Sequence, residues 1–186
     1  MQFFVFSTLL SVALSAFPWC QQTTAQSCVN GIINNMYTVG NQTTKLGNIA
    51  QQVQVDSFFT LINLQVTTTQ LIQTINDAAY QINCTCPSVP LETAFPLVTV
   101  LTNLTPIVTS TMNTIVAKKS TFDDCILGFI SLSWLVELDL GCVVNAINSL
   151  TYSIQNILPA DAAPLVAQLS GALLEPIQNA VQVYST

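Results

Sequence analysis

Apolar side chains recur three or four residues apart along almost the whole chain after residue 28. The first run is Val29, Ile32, Met36, Val39, Thr43, Leu46, Ala50 and Val53. That spacing places every member on one face of a helix. Gly40 and Gly47 weaken the run only mildly. A second run follows: Phe58, Leu61, Gln65, Thr68, Ile72, Ile75, Ala79 and Ile82. Asp56 or Ser57 is positioned to cap it, and Pro87 and Pro90 end it. A third is Ala94, Leu97, Leu101, Leu104, Val108, Met112, Ile115 and Phe122. Pro96 suits a first turn, whereas Pro106 implies either a kink or a fresh helix capped by Thr105. Lys118 and Lys119 suit the negative end of this helix. The fourth run is Leu132, Leu135, Val136, Val143, Ile147, Leu150, Ile154 and Ile157, with Gly141 a weak point. The fifth, capped by Asp161, is Leu165, Leu169, Leu173, Ile177, Val181 and Tyr184, with Pro176 expected to kink it.

The abundance of Val, Ile and Thr favours strands on propensity. Period-two alternation is scarce, however, and the helical spacing outweighs it. The expected fold is all-α, an antiparallel bundle of about five amphipathic helices joined by short loops. It forms one domain over residues 26–186, preceded by a signal peptide over 1–25.

Residues 1–17 are apolar apart from Gln2 and small hydroxyls, short for a span, and Pro18 follows, which reads as a signal peptide with an uncleaved anchor as the alternative. Thr23-Thr24-Ala25 offers the favoured cleavage site, with Ser15 the earlier option. No later run approaches the roughly 20 residues that a membrane span requires. Secretion to the cell exterior or wall is therefore expected. Asn41, Asn83 and Asn103 begin Asn-X-Thr sequons and are candidate glycosylation sites.

Six cysteines, at 20, 28, 84, 86, 125 and 142, fit disulfides better than metal in a secreted chain. Cleavage after Ala25 leaves five, so one is odd. In an antiparallel bundle Cys28, Cys84 and Cys86 share one pole, which makes a bridge from Cys28 to one of the other two the most sensible. Cys125 and Cys142 would pair only if segment 125–130 folds back along the fourth helix.

Composition then narrows the chemistry. Charged residues make up 6% of the 186, net charge is −6, and the only cations are Lys45, Lys118 and Lys119. With no Arg, the chain lacks the means to clamp a phosphate backbone, so nucleic acid is not an expected partner. With no His, there is no imidazole metal site and no Ser-His or Cys-His pair. The acidic pairs Asp123/Asp124 and Glu137/Asp139 read as solvated loop or cap residues, and no catalytic residue, metal or cofactor is implied. Hydrophobic residues, at 51%, exceed one stripe per helix. Helix 2 adds Phe59, Ile62, Leu64, Val66 and Leu71, and the stretch 126–140 is apolar on nearly every side. Such surplus calls for cover, a ligand or a surface. Candidates for an apolar pocket or contact face are Leu101, Val108, Met112, Phe129, Trp134, Leu135, Val143, Ile147, Leu169 and Leu173.

The run from Ile115 to Phe122, IVAKKSTF, resembles the I-V-x-K-K-x-x-F element that ends the middle helix of fungal hydrophobic surface-binding protein A-like proteins, also called cell-wall galactomannoproteins. The similarity continues through a short loop, a long helix at 131–158, and Pro159-Ala160-Asp161 opening a last helix that ends near Tyr184. The resemblance implies a secreted α-bundle that adsorbs to hydrophobic surfaces. Some relatives hold a fatty acid in a tunnel between helices, and some recruit polymer-degrading enzymes to a waxy surface. The implied partners are hydrophobic surfaces or fatty-acid-like lipids, with cell-wall polysaccharide or a secreted hydrolase beside them. This chain departs from the pattern in its extra cysteines and sparse charge. The alternative expectation is a structural wall mannoprotein without a specific ligand.

Overall fold

The computed structural model describes residues 22–55, 57–124 and 131–185. Six helices account for nearly all of them: α1 (Ala25–Gln52), α2 (Phe58–Thr85), α3 (Leu91–Ala117), the short α4 (Lys119–Asp123), α5 (Ser133–Ile157) and α6 (Ala163–Tyr184). No strand occurs among the described residues.

Threonine's branched Cβ disfavours helix, yet this chain places threonines throughout its helices. Their hydroxyls are absorbed locally. Those of Thr38, Thr43, Thr44, Thr68, Thr69, Thr74, Thr85, Thr102, Thr109, Thr114 and Thr151 each donate to the carbonyl four residues back, at 2.7–3.1 Å. The side chain thus bonds to its own helix instead of competing for the backbone elsewhere.

Consecutive long helices run antiparallel, and the interlocking contacts close them into a ring in the order α2–α1–α3–α6–α5 and back to α2. Two hydrogen bonds and a disulfide fix the directions. Asn35 Nδ2 donates to Gln81 Oε1 near the Cys28–Cys86 bridge, so α1 and α2 are antiparallel. Thr151 and Ser170 share a hydrogen bond of 2.6 Å that sets α5 against α6 in the same sense. The remaining neighbours are parallel. Thr111 Oγ1 donates to the Thr43 carbonyl and Lys118 Nζ to that of Val53, aligning α1 with α3. Gln65 with Asp139, and Asn83 with Ser153, align α2 with α5.

All eight residues of the first stripe and all eight of the third are buried. The second stripe is buried only from Thr68 onward, with Ile72 half-buried, and Phe58 is 60% exposed. In α6 the buried face begins at Val166 and Ser170, one residue later than the expected Leu165 and Leu169. Ala162, not Asp161, is the N-cap there, with no side-chain cap; Pro164 in the first turn needs no N–H partner. Ser57 does not cap α2 either, because its Oγ accepts from the Gln54 N–H instead. Asp56 lies outside the described residues. Pro106 sits inside a continuous α3, as does Pro96 beyond the first turn. Pro176 sits inside α6.

The long, apolar α3, with mean hydropathy 1.3 in its best window, meets the length and composition of a membrane span. That corrects the expectation that no such run exists. It packs between α1 and α6 and turns Thr102, Asn103, Ser110 and Asn113 outward.

One pole is held by covalent and backbone bonds. Cys28 and Cys86 form a disulfide with Cα atoms 5.3 Å apart. Cys84 is also disulfide-bonded. Thr24 caps α1 by accepting from the Ser27 N–H, and Thr23 bonds to the Thr85 carbonyl. Cleavage after Ser15 would keep the Thr23 and Thr24 bonds, whereas cleavage after Ala25 would remove them and leave the Cys28–Cys86 bridge in place. Cys142 carries a free, exposed thiol, so the conditional pairing with Cys125 does not form. Cys20 and Cys125 lie outside the described residues.

Candidate functional site

Three small cavities lie along the axis of the ring. The central one, about 40 Å³, is lined by Met36, Ile75, Leu104, Val108, Ile147 and Leu173 among others, with Thr151 and Ser170 as the polar members. Toward the disulfide pole a second, about 20 Å³, lies between Ala94, Leu97, Leu158 and Val166 and shares Leu101 and Ile154 with the first. Toward the opposite pole a third, about 30 Å³, is walled by Leu46, Leu64, Leu71, Met112, Ile115, Val136, Leu140 and Val143. Steps of one helical turn join its walls to the central cavity, from Leu71 to Ile75, Met112 to Val108, and Val143 to Ile147. A few waters would fill each space, whereas a pocket for a small organic ligand measures roughly 300–1,000 Å³. Any long-chain ligand must therefore push helices apart.

Two helices also lack a backbone hydrogen bond in mid-course, which lets them bend around an occupant. Pro106 removes the backbone bond to residue 102 midway along α3, between the cavity-lining Leu104 and Val108. Pro176 does the same in α6 between Leu173 and Ile177.

Of the candidate residues, Leu101, Val108, Ile147 and Leu173 line the central cavity. Leu101 and Leu169 line the second. Met112 and Val143 line the third. Leu135 is half-buried outside these cavities. Trp134 is 60% exposed and faces solvent. Phe129 lies outside the described residues.

Trp134 belongs to a different feature. Exposed large apolar side chains gather where α2 and α5 begin: Val55, Phe58, Phe59, Ile62, Val66, Trp134 and Leu138. The Phe58 and Phe59 rings meet edge to face, 5.9 Å apart. Because α2 and α5 run parallel, their first turns lie at the same pole, away from the disulfide. The surplus apolar residues expected on α2 account for this in part: Phe59, Ile62 and Val66 are exposed, while Leu64 and Leu71 turn inward to the third cavity.

The sequence reading missed Asp139. It is not a solvated surface acid but a half-buried wall residue of the third cavity. Burial pushes its carboxyl above the ordinary aspartate range, and the Gln65 amide, donating to Oδ1 at 3.1 Å, offsets this in part. Its direction from the helix was not readable because only the α2–α5 pairing places Gln65 opposite. Glu137, by contrast, accepts from Ser185 Oγ at the surface. Asp123 is held below the usual range by hydrogen bonds from Ser133 and Lys119, and joins α4 to the start of α5. Tyr184, 3% exposed, donates to the Ile115 carbonyl at 2.7 Å, and burial pushes its phenol well up. These polar contacts brace helices. Among the described residues no group of three metal-ligating side chains comes together.

The sequons at Asn41, Asn83 and Asn103 all fall within helices, and all three asparagines are exposed. The Asn83 Nδ2 already donates to Ser153 Oγ at 2.9 Å.

Residues 29–140 match the model of the family Hydrophobic surface binding protein A. The chain belongs to that family. The matched stretch runs from the start of α1 into α5, so it holds three walls of the ring, the first two turns of a fourth and the whole exposed aromatic cluster. No curated protein matches this hydrophobic surface binding protein A member. Among solved structures it resembles Afmp4p in complex with palmitic acid, at 18% identity and a TM-score of 0.76, over 84% of this chain and 99% of that one. It also resembles ligand binding domain 1 of the Penicillium marneffei MP1 protein complexed with arachidonic acids, at 18% identity and a TM-score of 0.76, over 86% and 99%. Domain 2 of the same protein, complexed with multiple arachidonic acids, gives 18% identity and 0.72 over 86% and 95%. At that identity the likeness establishes a shared fold.

Proposed function

We propose that this protein is a secreted, non-enzymatic binder of long-chain lipids and apolar surfaces. The observation that carries the reading is the line of apolar cavities on the axis of a five-helix ring, beside proline-weakened helices. An acyl chain threading them would remove aliphatic surface from water on both sides, at roughly 25 cal/mol per Å². The fold shared with proteins solved in complex with palmitic and arachidonic acids supports an acyl chain as the occupant.

The aromatic cluster at the start of α2 and α5 supplies the contact with a hydrophobic surface. The charges at that pole are engaged, Lys119 with Asp123 and Lys118 with the Val53 carbonyl, which limits the electrostatic cost of adsorption. The apolar leader over residues 1–17 supports secretion, and the cell exterior or wall is the proposed location.

Two measurements test this. Mature protein incubated with polystyrene beads should be depleted from solution, and dodecanoate or 1-dodecanol should bind by calorimetry with a negative heat-capacity change. Absence of both depletion and binding would sink the reading. Heavy mannosylation without lipid affinity would favour the structural wall glycoprotein instead.

A further inference from the structure

The third cavity carries one ionisable side chain in a wall that is otherwise aliphatic apart from Thr68. Asp139 Oδ1 accepts from Gln65 Nε2, and Oδ2 accepts no hydrogen bond among the described residues. The Thr68 hydroxyl proton is committed to the Leu64 carbonyl, so no side chain lining the cavity offers a free donor, and the Gln65 amide beside it has one N–H engaged by Oδ1. We propose that Asp139, steadied by Gln65, selects long-chain amphiphiles whose head donates a hydrogen bond, a hydroxyl or an ammonium, over those with an anionic head. The proposal rests on the lipid-binding reading and names the head-group chemistry of that same site.

An ionised carboxylate only accepts hydrogen bonds. A hydroxyl or ammonium placed at Oδ2 completes its coordination. A second anion there meets a like charge in a half-buried place, where repulsion is less screened than in bulk water. Two carboxylates tolerate such proximity when they share a proton. Anionic amphiphiles should therefore gain affinity as the pH falls through the titration of Asp139, which burial moves toward neutrality.

Among the described residues no other ionisable group faces this site. On α5 itself Glu137 turns to Ser185 of α6, and Cys142 is exposed. From α2 the facing groups are Leu64, Gln65, Thr68 and Leu71, and Asp77 of that helix is exposed. From α1 and α3 they are Leu46, Met112 and Ile115, while Lys45 is exposed and Lys118 is bonded to the Val53 carbonyl. Lys119 of α4 pairs with Asp123. On α6 Tyr184 donates to the Ile115 carbonyl, and Glu175 is exposed.

The test is calorimetric titration of 1-decanol and of decanesulfonate, whose head stays anionic at every pH used, into wild type and Asp139→Asn. At pH 7.5 wild type should bind decanol at least ten-fold tighter than decanesulfonate. Asp139→Asn, which supplies a donor amide, should narrow that ratio at least five-fold. Wild-type affinity for decanesulfonate should rise at least five-fold between pH 7.5 and 4.5, and the rise should vanish in the variant. The wild-type pH series keeps the test decisive should the variant fail to fold. A flat wild-type pH series, or a ratio unchanged in a folded variant, overturns the proposal. Failure of both amphiphiles to bind wild type at any pH overturns the lipid-binding reading itself.

Discussion

The ring has three parallel seams, α1–α3, α2–α5 and α3–α6, and the first two, on either side of the antiparallel α1–α2 pair, are built differently. Along α1–α3 the backbones come close. A Cβ on Gly40 would lie 2.9 Å from Leu104 Cδ2, and one on Gly47 3.0 Å from Thr111 Oγ1. Thr111 reaches across to the Thr43 carbonyl at 3.1 Å, and Lys118 closes the end at Val53. Along α2–α5 two side-chain bridges, Gln65 to Asp139 and Asn83 to Ser153, hold the helices instead. The edges of that seam carry exposed apolar residues. A seam locked by backbone approach has little room to part, because overpacking and lost contacts both cost energy. A seam held by side-chain amides opens at the cost of a few hydrogen bonds. The disulfide clamps α2 to α1 at one pole, so an opening of α2–α5 is a swing at the aromatic pole, next to the third cavity.

The largest expected effect comes from removing the clamp. The bridge spans 58 residues, and its loss in Cys28→Ser/Cys86→Ser should cost about 4 kcal/mol on loop-closure entropy. Thermal unfolding should fall by about 8–16 °C. Next comes Gly47→Val, which drives a branched side chain into Thr111 and should cost about 2 kcal/mol in denaturant unfolding. Thr111→Val removes one buried cross-seam hydrogen bond and should cost about 1 kcal/mol, whereas Asn83→Ala on the other seam should cost under about 0.5 kcal/mol because Asn83 is exposed. Equal costs at Thr111 and Asn83 would erase the distinction between the seams. The smallest effect on stability belongs to Phe59→Ser and Trp134→Ser, within about 0.5 kcal/mol. In bead depletion the same pair should remove most of the adsorption.

The seams also explain what was legible in the sequence. The stripes of α1 and α3 read correctly as buried at every position because those helices are each covered on one broad face by well-packed neighbours, although the last member, Phe122, falls on the separate α4 after a break at Lys118. The stripe of α2 failed at its start, since Phe58 has the apolar character of a core residue but no neighbour to cover it. In α6 a Leu-rich first turn suggested Leu165 and Leu169, while the packing chose Val166 and Ser170, the latter because it pairs with Thr151. The caps at Ser57 and Asp161 were misread because a local turn and a proline start took their place. The cavity-lining candidates Leu101, Val108, Met112, Val143, Ile147 and Leu173 followed from period alone, whereas Trp134 and Leu135 on α5 fall outside the cavities. Asp139 was not readable that way, because its role depends on which helix lies opposite, and that follows from a ring order that spacing does not encode.

The central claim is that the ring admits a chain by parting at α2–α5 while α1–α3 stays closed. Hydrogen exchange of backbone amides, with and without 1-decanol, tests it most directly. The first four turns of α2 and of α5 should exchange at least ten-fold faster than the facing turns of α1 and α3 in the free protein, and decanol should slow exchange selectively at α2 and α5. Equal exchange along both seams, or protection confined to α1 and α3, would contradict the account.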